Sequence, residues 1–256
     1  MNFSVLMDAV YNGKNFIEGL EQIKAVGYNA FEFASWWDKD LQAIQAAREK
    51  YQLYVSGTVT KTFELTDPAR RREYIVGLGQ AIAVAQMLGC NTLFTQGGSR
   101  VPGLSPKEMH QSIVDGLKAC IPLLQYNGIM LVVEPVNTLV DHPNAYLNHT
   151  KEAFEIIDQV GSPHVKVLYD IYHMQVMEGN IIDTLTRNIH NIGHFHIAGV
   201  PGRHEPYTGE LYYINILKAI QATGFQGYIG LEFYPLEPPA IALQRFRDWV
   251  RAAGLM

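Results

Sequence analysis

Three acids stand at the ends of short apolar runs: Glu134 after Ile129–Val133, Asp170 after Val165–Tyr169, and Glu232 after Tyr228–Leu231. In parallel α/β proteins the carboxyl ends of strands are where chemistry is placed. A further run, residues 192–197, carries His194 and His196. Alternation puts both on one face, with Phe195 and Ile197 on the other, and His196 is nearer the strand's end. Two glutamates, an aspartate and a histidine form an oxygen-rich donor set with one nitrogen. Such a set suits a divalent ion, Mn²⁺ or Mg²⁺ first, with Co²⁺ or Zn²⁺ also compatible. Each acid alone reads equally well as a cap. Asp170, for one, is placed to cap the next helix with His173 packed beside it. Four metal-compatible residues at four strand ends weigh against four separate caps.

These groups suit proton transfer. A proton beside a carbonyl is weakly acidic, and a metal ion stabilises the enediolate left when it departs. Glu134 and Glu232 can then remove and return protons. Return to the neighbouring carbon is an aldose–ketose isomerisation; return to the opposite face of the same carbon is an epimerisation. The residues leave both open. After residues 192–197 a long loop carries Arg203 and Glu205. Arg203 suits a substrate carboxylate or hydroxyl, or else is a solvated loop arginine. Trp36 and Trp37 are either an apolar wall near the site or helix packing.

The elements that must position these residues alternate along the chain. Apolar strands are predicted at residues 3–7, 30–33, 53–56, 92–95, 129–133, 165–169, 192–197 and 228–231. Helices are predicted at residues 15–26, 40–51, 67–88, 150–160, 211–223 and 239–252, with one opening at the capping box Ser105-Pro106-Lys107-Glu108 and one near Ile181. Gly27, Gly89, Gly161 and Gly224 stop four of them. Eight strands alternating with helices predict a (β/α)8 TIM barrel of the α/β class, one domain over residues 1–256. An open doubly wound sheet also alternates, but no GxGxxG follows the first strand.

The chain has 256 residues, 48% of them hydrophobic, and a formal net charge of -5. That balance disfavours a polyanionic partner such as nucleic acid. Cys90 and Cys120 sit in apolar surroundings outside any CxxC pair, so neither a disulfide framework nor a thiolate metal site is expected. No apolar run reaches membrane-spanning length, and the first strand begins too early to leave room for a signal peptide. The expectation is a cytoplasmic protein with no membrane partner, a homo-oligomer left open.

Several stretches together carry a resemblance: Glu134-Pro135-Val136-Asn137, Tyr169-Asp170-Ile171-Tyr172-His173-Met174-Gln175, Gly193-His194-Phe195-His196-Ile197-Ala198, and Pro201-Gly202-Arg203-His204-Glu205-Pro206 with Thr208-Gly209-Glu210. They resemble the hydroxypyruvate isomerase family, xylose-isomerase-like barrels near the ketose 3-epimerases and 2-oxo-tetronate isomerases. The likeness is dense from about Gly128 to Tyr234 and looser before. It implies an isomerase acting on a small sugar or hydroxy-keto acid. It also implies Glu134 and Glu232 as the acid/base pair, and Asp170 and His196 as metal ligands beside them. His173 and Arg203 match substrate contacts, and Glu205 and Trp36 complete the candidate substrate-binding set. The chain departs from the pattern at His196, where many of those enzymes have glutamine. It departs again at Gly199, in place of an aspartate, and at Tyr207, in place of a glycine. Trp36, Trp37 and Lys61 have no close counterpart in the familiar isomerases.

Other classes remain. The same barrel hosts trinuclear zinc phosphodiesterases of the endonuclease IV type, which would need more metal-facing histidines and a basic groove. A non-catalytic sugar-binding barrel would have no use for two proton carriers.

Overall fold

The computed structural model describes residues 1–256. Eight parallel strands close into a barrel in sequence order: β1 Asn2–Leu6, β2 Ala30–Phe33, β3 Tyr54–Val59, β4 Thr92–Gln96, β5 Met130–Glu134, β6 Val165–Asp170, β7 Ile192–Ile197 and β8 Tyr228–Leu231. The ring shuts through β1 and β8, with Asn2 opposite Tyr228 and Val5 opposite Leu231. The helices between them are α1 Met7–Val10, α2 Phe16–Val26, α3 Leu41–Tyr51, α4 Arg71–Met87, α5 Pro106–Asn127, α6 Thr150–Val160, α7 Ile171–Met177, α8 Ile181–Arg187, α9 Tyr213–Ala222 and α10 Pro239–Ala252. No helix is long and apolar enough to cross a membrane.

Local chemistry explains the boundaries. Asn15 Oδ1 caps α2, accepting from Ile17 N and Glu18 N, and Gly27 ends it at φ +96°, where an L side chain would be strained. At α5, Ser105 N donates to Glu108 Oε2 at 2.7 Å and Glu108 N donates to Ser105 Oγ at 3.3 Å, the predicted capping box. Three expectations need correction. β3 runs to Val59, past residue 56: its polar residues Ser56 and Thr58 are buried with partners, Ser56 on Glu32 inside the barrel and Thr58 on Ala34 O, so they do not break the strand. The predicted helix from Asp67 begins as a 3-10 turn, Pro68–Arg70, before α4. The motif after Asp170 is itself a helix, α7, too short for a helical period to show in the sequence.

Alternation divides each strand. Phe3, Val5, Phe31, Phe33, Leu131, Val133, Val167, Tyr169, Phe195 and Ile197 join the large apolar layer between sheet and helices. Phe94, Val132 and Leu168 form a separate plug inside the barrel. The opposite positions, among them Ser4, Glu32, Glu134, Asp170, His194, His196 and Glu232, therefore line the interior and its C-terminal mouth.

Candidate active site

Glu134 and Asp170 are the last residues of β5 and β6, and Asp170 is register partner to His196 of β7. Glu232 follows β8, its backbone N donating to Ile197 O at 3.2 Å. The structure thus gathers the four sequence candidates. Their nearest donor atoms, carboxylate oxygens and an imidazole nitrogen, all lie within 4.8 Å of one another. Opposite ligands of a divalent ion stand about 4–5 Å apart, so the spacing suits one ion.

Asp170 caps the helix that follows it and still has an oxygen free to face the cluster. Its Oδ1 caps α7, accepting from Tyr172 N at 2.8 Å and His173 N at 3.4 Å, while Oδ2 turns to the site. His173 is buried with a defined tautomer. Its Nδ1 accepts the backbone N–H of Asn137 at 3.2 Å, so the ring proton sits on Nε2. Nε2 stands 3.5 Å from Asp170 Oδ2 and 3.9 Å from Glu134 Oε1. Burial, aided by Arg203, keeps this imidazole neutral, well below the ordinary histidine range. Gln96, opposite Glu134 in register, donates to Glu134 Oε2 at 3.2 Å.

The two glutamates are driven apart. Burial, then the neighbouring charges of Glu232 and Asp170, pushes Glu134 up to about 8. Burial also acts to raise Glu232, but Arg203 and His196 outweigh it and hold that carboxylate at about 2. Asp170 is raised to about 6, burial being stronger than the pull of Arg203. Burial opposes charge on His196, yet Glu232 and Glu32 on either side lift it well above the usual imidazole range.

His196 Nδ1 and Glu232 Oε2 face each other at 2.6 Å, both buried, and the contact is too bent for a hydrogen bond. Two buried polar atoms aimed at one point without a hydrogen-bonding partner are what a shared cation would satisfy. With Glu134 and Asp170 they supply three carboxylates and one imidazole, a fitting set for a hard divalent ion.

Arg203 closes the mouth. Its Nη2 stands 2.8 Å from Glu232 Oε1 and 3.3 Å from Asp170 Oδ2, and its guanidinium lies 4.9 Å from the Tyr172 ring centroid. The residue adopts φ +57°, a left-handed geometry uncommon outside glycine, which directs it inward from its loop. It is buried, which rules out the solvated loop arginine. Breaking a buried ion pair by removing one partner typically costs about 3–5 kcal/mol. Arg203→Ala is expected to lose stability of that order when denatured in a chelator. A loss below about 1 kcal/mol would show that the clamp is energetically idle.

Two candidates lie outside this cluster. Glu205 is buried, and its Oε1 accepts from Leu236 N at 2.8 Å and Glu237 N at 3.4 Å, tying the Arg203 loop to the connection after β8. Trp36 packs edge-on to Trp37 and donates its indole N–H to Val59 O at 3.0 Å, at the β3 end of the same rim.

Sequence reasoning missed Glu32. It is fully buried in β2, with Oε1 3.0 Å from His196 Nε2 and Oε2 3.0 Å from His194 Nε2. Burial works to raise its pKa, but the two histidines outweigh burial and keep it ionised. A signal was present: Phe31 and Phe33 flank it in a strand, so if they face the helices the acid between them faces inward. Glu32, His194 and His196 form a second potential ligand group beneath the first.

Residues 20–253 match the family described as the xylose isomerase-like TIM barrel. Hydroxypyruvate isomerase of Escherichia coli (strain K12) is 30% identical over 243 residues, spanning 92% of this chain and 94% of that one. Among solved structures, AP endonuclease, family 2, from Brucella melitensis superposes with a TM-score of 0.91 at 25% identity, covering 97% of this chain and 98% of that one. D-psicose 3-epimerase from Clostridium cellulolyticum H10 superposes with a TM-score of 0.84 at 16% identity, over 99% of both chains, a likeness of fold.

Proposed function

From the premise that this chain belongs to the xylose isomerase-like TIM barrels, and within them to the hydroxypyruvate isomerase family, we propose that it is a metal-dependent isomerase of small hydroxy-carbonyl compounds. The observation that carries this reading is geometric: Glu134, Asp170, His196 and Glu232 bring donor atoms within 4.8 Å of one another, so two glutamates flank one candidate ion site. Two carboxylates on either side of a bound hydroxy-carbonyl compound suit the roles of proton acceptor and proton donor.

A divalent ion held by Glu134, Asp170, His196 and Glu232 would polarise the substrate carbonyl and stabilise the enediolate charge. Glu232, kept ionised by Arg203 and His196, takes the proton beside the carbonyl; Glu134 carries the proton that is returned. His173 donates from Nε2 toward the same space, a hydrogen bond for a substrate oxygen. Arg203 orients Glu232 and meets an anionic or hydroxyl group. Glu205 holds the loop that presents Arg203, and Trp36 walls the β3 side of the rim.

Epimerisation on the same site is the second reading. It is favoured by His196, which stands where the isomerase pattern more often has glutamine. At Gly199 a Cβ would lie 2.8 Å from Glu205 O, so the substrate loop packs too closely for the isomerase pattern's aspartate, a difference that bears on which substrate is taken. A phosphodiesterase of the endonuclease type is not supported. The four-residue ion cluster has one imidazole among its candidate ligands, His173 Nδ1 is occupied by Asn137, and the chain's net charge is -5.

The test is incubation in D₂O with Mn²⁺ and a panel of hydroxypyruvate and neutral ketoses. Deuterium is expected at the carbon beside the carbonyl, and product analysis separates isomer from epimer. Sugar binding with no deuterium exchange across the panel would favour a binding protein instead.

A further inference from the structure

Glu32 has no part in the proton transfers above, yet the barrel is built around it. It is fully buried near the middle of the barrel. Ser4 Oγ from β1 and Ser56 Oγ from β3 both donate to its Oε2 at 3.0 Å. Oε1 has no hydroxyl donor and stands 3.0 Å from His196 Nε2. The contact is too bent for a hydrogen bond, as is that of Glu32 Oε2 with His194 Nε2. Beyond β1, β8 passes so close that a Cβ at Gly230 would lie 1.9 Å from Glu32 Oε1 and 2.6 Å from His196 Cδ2. Glycine there leaves the room in which carboxylate and imidazole meet.

The two nitrogens of His196 therefore face different partners. Nε2 looks down to Glu32; Nδ1 looks up to Glu232 at 2.6 Å and Glu134 at 3.9 Å. An imidazole can bind a cation through one nitrogen only if that nitrogen is unprotonated, and the group facing the other nitrogen sets which one that is.

We propose that Glu32 is a positioning residue: anchored by Ser4 and Ser56, it holds the proton of His196 on Nε2 and so presents Nδ1, bare and correctly aimed, to the four-residue site above. This rests on the reading that Glu134, Asp170, His196 and Glu232 hold a divalent ion. Glu32 would then touch neither ion nor substrate and would act entirely through the ring of His196. The lower group, Glu32 with His194 and His196, would be an anchor and not a second ion site, because Glu32 Oε1 faces Nε2 of His196, the nitrogen that keeps its proton in this reading.

The experiment is titration calorimetry of Mn²⁺ on wild type, Glu32→Gln, Gly230→Ala and Asp170→Asn, with melting of each ion-free protein. Loss of an orienting partner typically weakens metal affinity about 10–100-fold. That loss is expected for Glu32→Gln, and also for Gly230→Ala, which keeps every polar group but crowds Oε1. Long-range ¹H–¹⁵N spectra of the Mg²⁺-loaded wild type should show His196 protonated on Nε2 only. That measurement needs no variant, so it stands even if one fails to fold. A purely structural Glu32 would lower the melting temperature of Glu32→Gln and leave its Mn²⁺ affinity unchanged. Unchanged affinity there, with affinity lost in Asp170→Asn, would overturn the inference alone. Two ions per wild-type chain, one lost in Glu32→Gln, would overturn it in favour of a lower ion site. No ion bound by the wild type would overturn the reading of the site and this inference together.

Discussion

Glu134→Gln and Glu232→Gln should each lower turnover by at least about 10²-fold while still binding substrate, because general acid–base help is typically worth about 10²–10⁴-fold. The amide keeps the shape of the side chain and removes its proton chemistry. The two variants should not behave alike. Glu232 is held ionised beside Arg203 and His196, so its amide removes the base and also one partner of the guanidinium. Glu134 makes no ion pair with Arg203, whose partners are Glu232 and Asp170. Its amide should leave the mouth better ordered and lower turnover with little change in KM. Both amides remove charge from the candidate ion site, so the assay is run at saturating Mn²⁺ and the affinity for the ion is measured separately. Near-normal turnover in both variants would sink the acid–base assignment.

Removal of the divalent ion should have the second large effect: turnover lost in a chelator and restored by Mn²⁺ or Mg²⁺. The ion should also stabilise the fold, by about 2.7 kcal/mol when present at about 100 times its dissociation constant. The pH dependence follows from the signs of the shifts. Asp170 and Glu134 are raised to about 6 and about 8, so their folded values exceed their unfolded ones. Their contribution to the ion-free protein is present below the ordinary carboxylate range and lost as pH climbs through about 6 and then about 8. Glu232, held at about 2, works oppositely: its contribution is present above the ordinary range and lost as pH falls toward about 2. Three buried acids crowded together are thus least comfortable in mild alkali, where a cation helps most. The gain in melting temperature on adding Mn²⁺ should be larger at pH 8 than at pH 6. A gain that is equal at both, or larger at pH 6, would show that these carboxylates do not take the ion.

Strand and helix placement was legible in the sequence because each element buries one face. Period-two runs such as Ile192–Ile197 and the capping box at Ser105 declare themselves within a few residues. The acids at the ends of β5, β6 and after β8 were legible for the same reason: an abrupt carboxylate after an apolar run marks a strand's mouth. That the chain closes into a ring follows from eight such units. The ring in turn brings Glu134 and Glu232 within 4.8 Å although about a hundred residues separate them.

Only the tertiary structure decided how those groups are shared. The sequence leaves Asp170 open as a helix cap or a site residue; in the fold one carboxylate oxygen caps α7 and the other turns inward, so the two readings do not exclude each other. Arg203 reaches the acids of two strands only because its loop bends back at φ +57°. Glu32 was invisible as a site residue, since its partners Ser4, Ser56, His194 and His196 come from three other strands and none is near it in sequence. Local patterning depends on contacts a few residues apart, whereas the protonation and aim of an inward side chain are set by whatever lies across the barrel. The chain alone determines which residues face the interior; the closed barrel decides which of them meet.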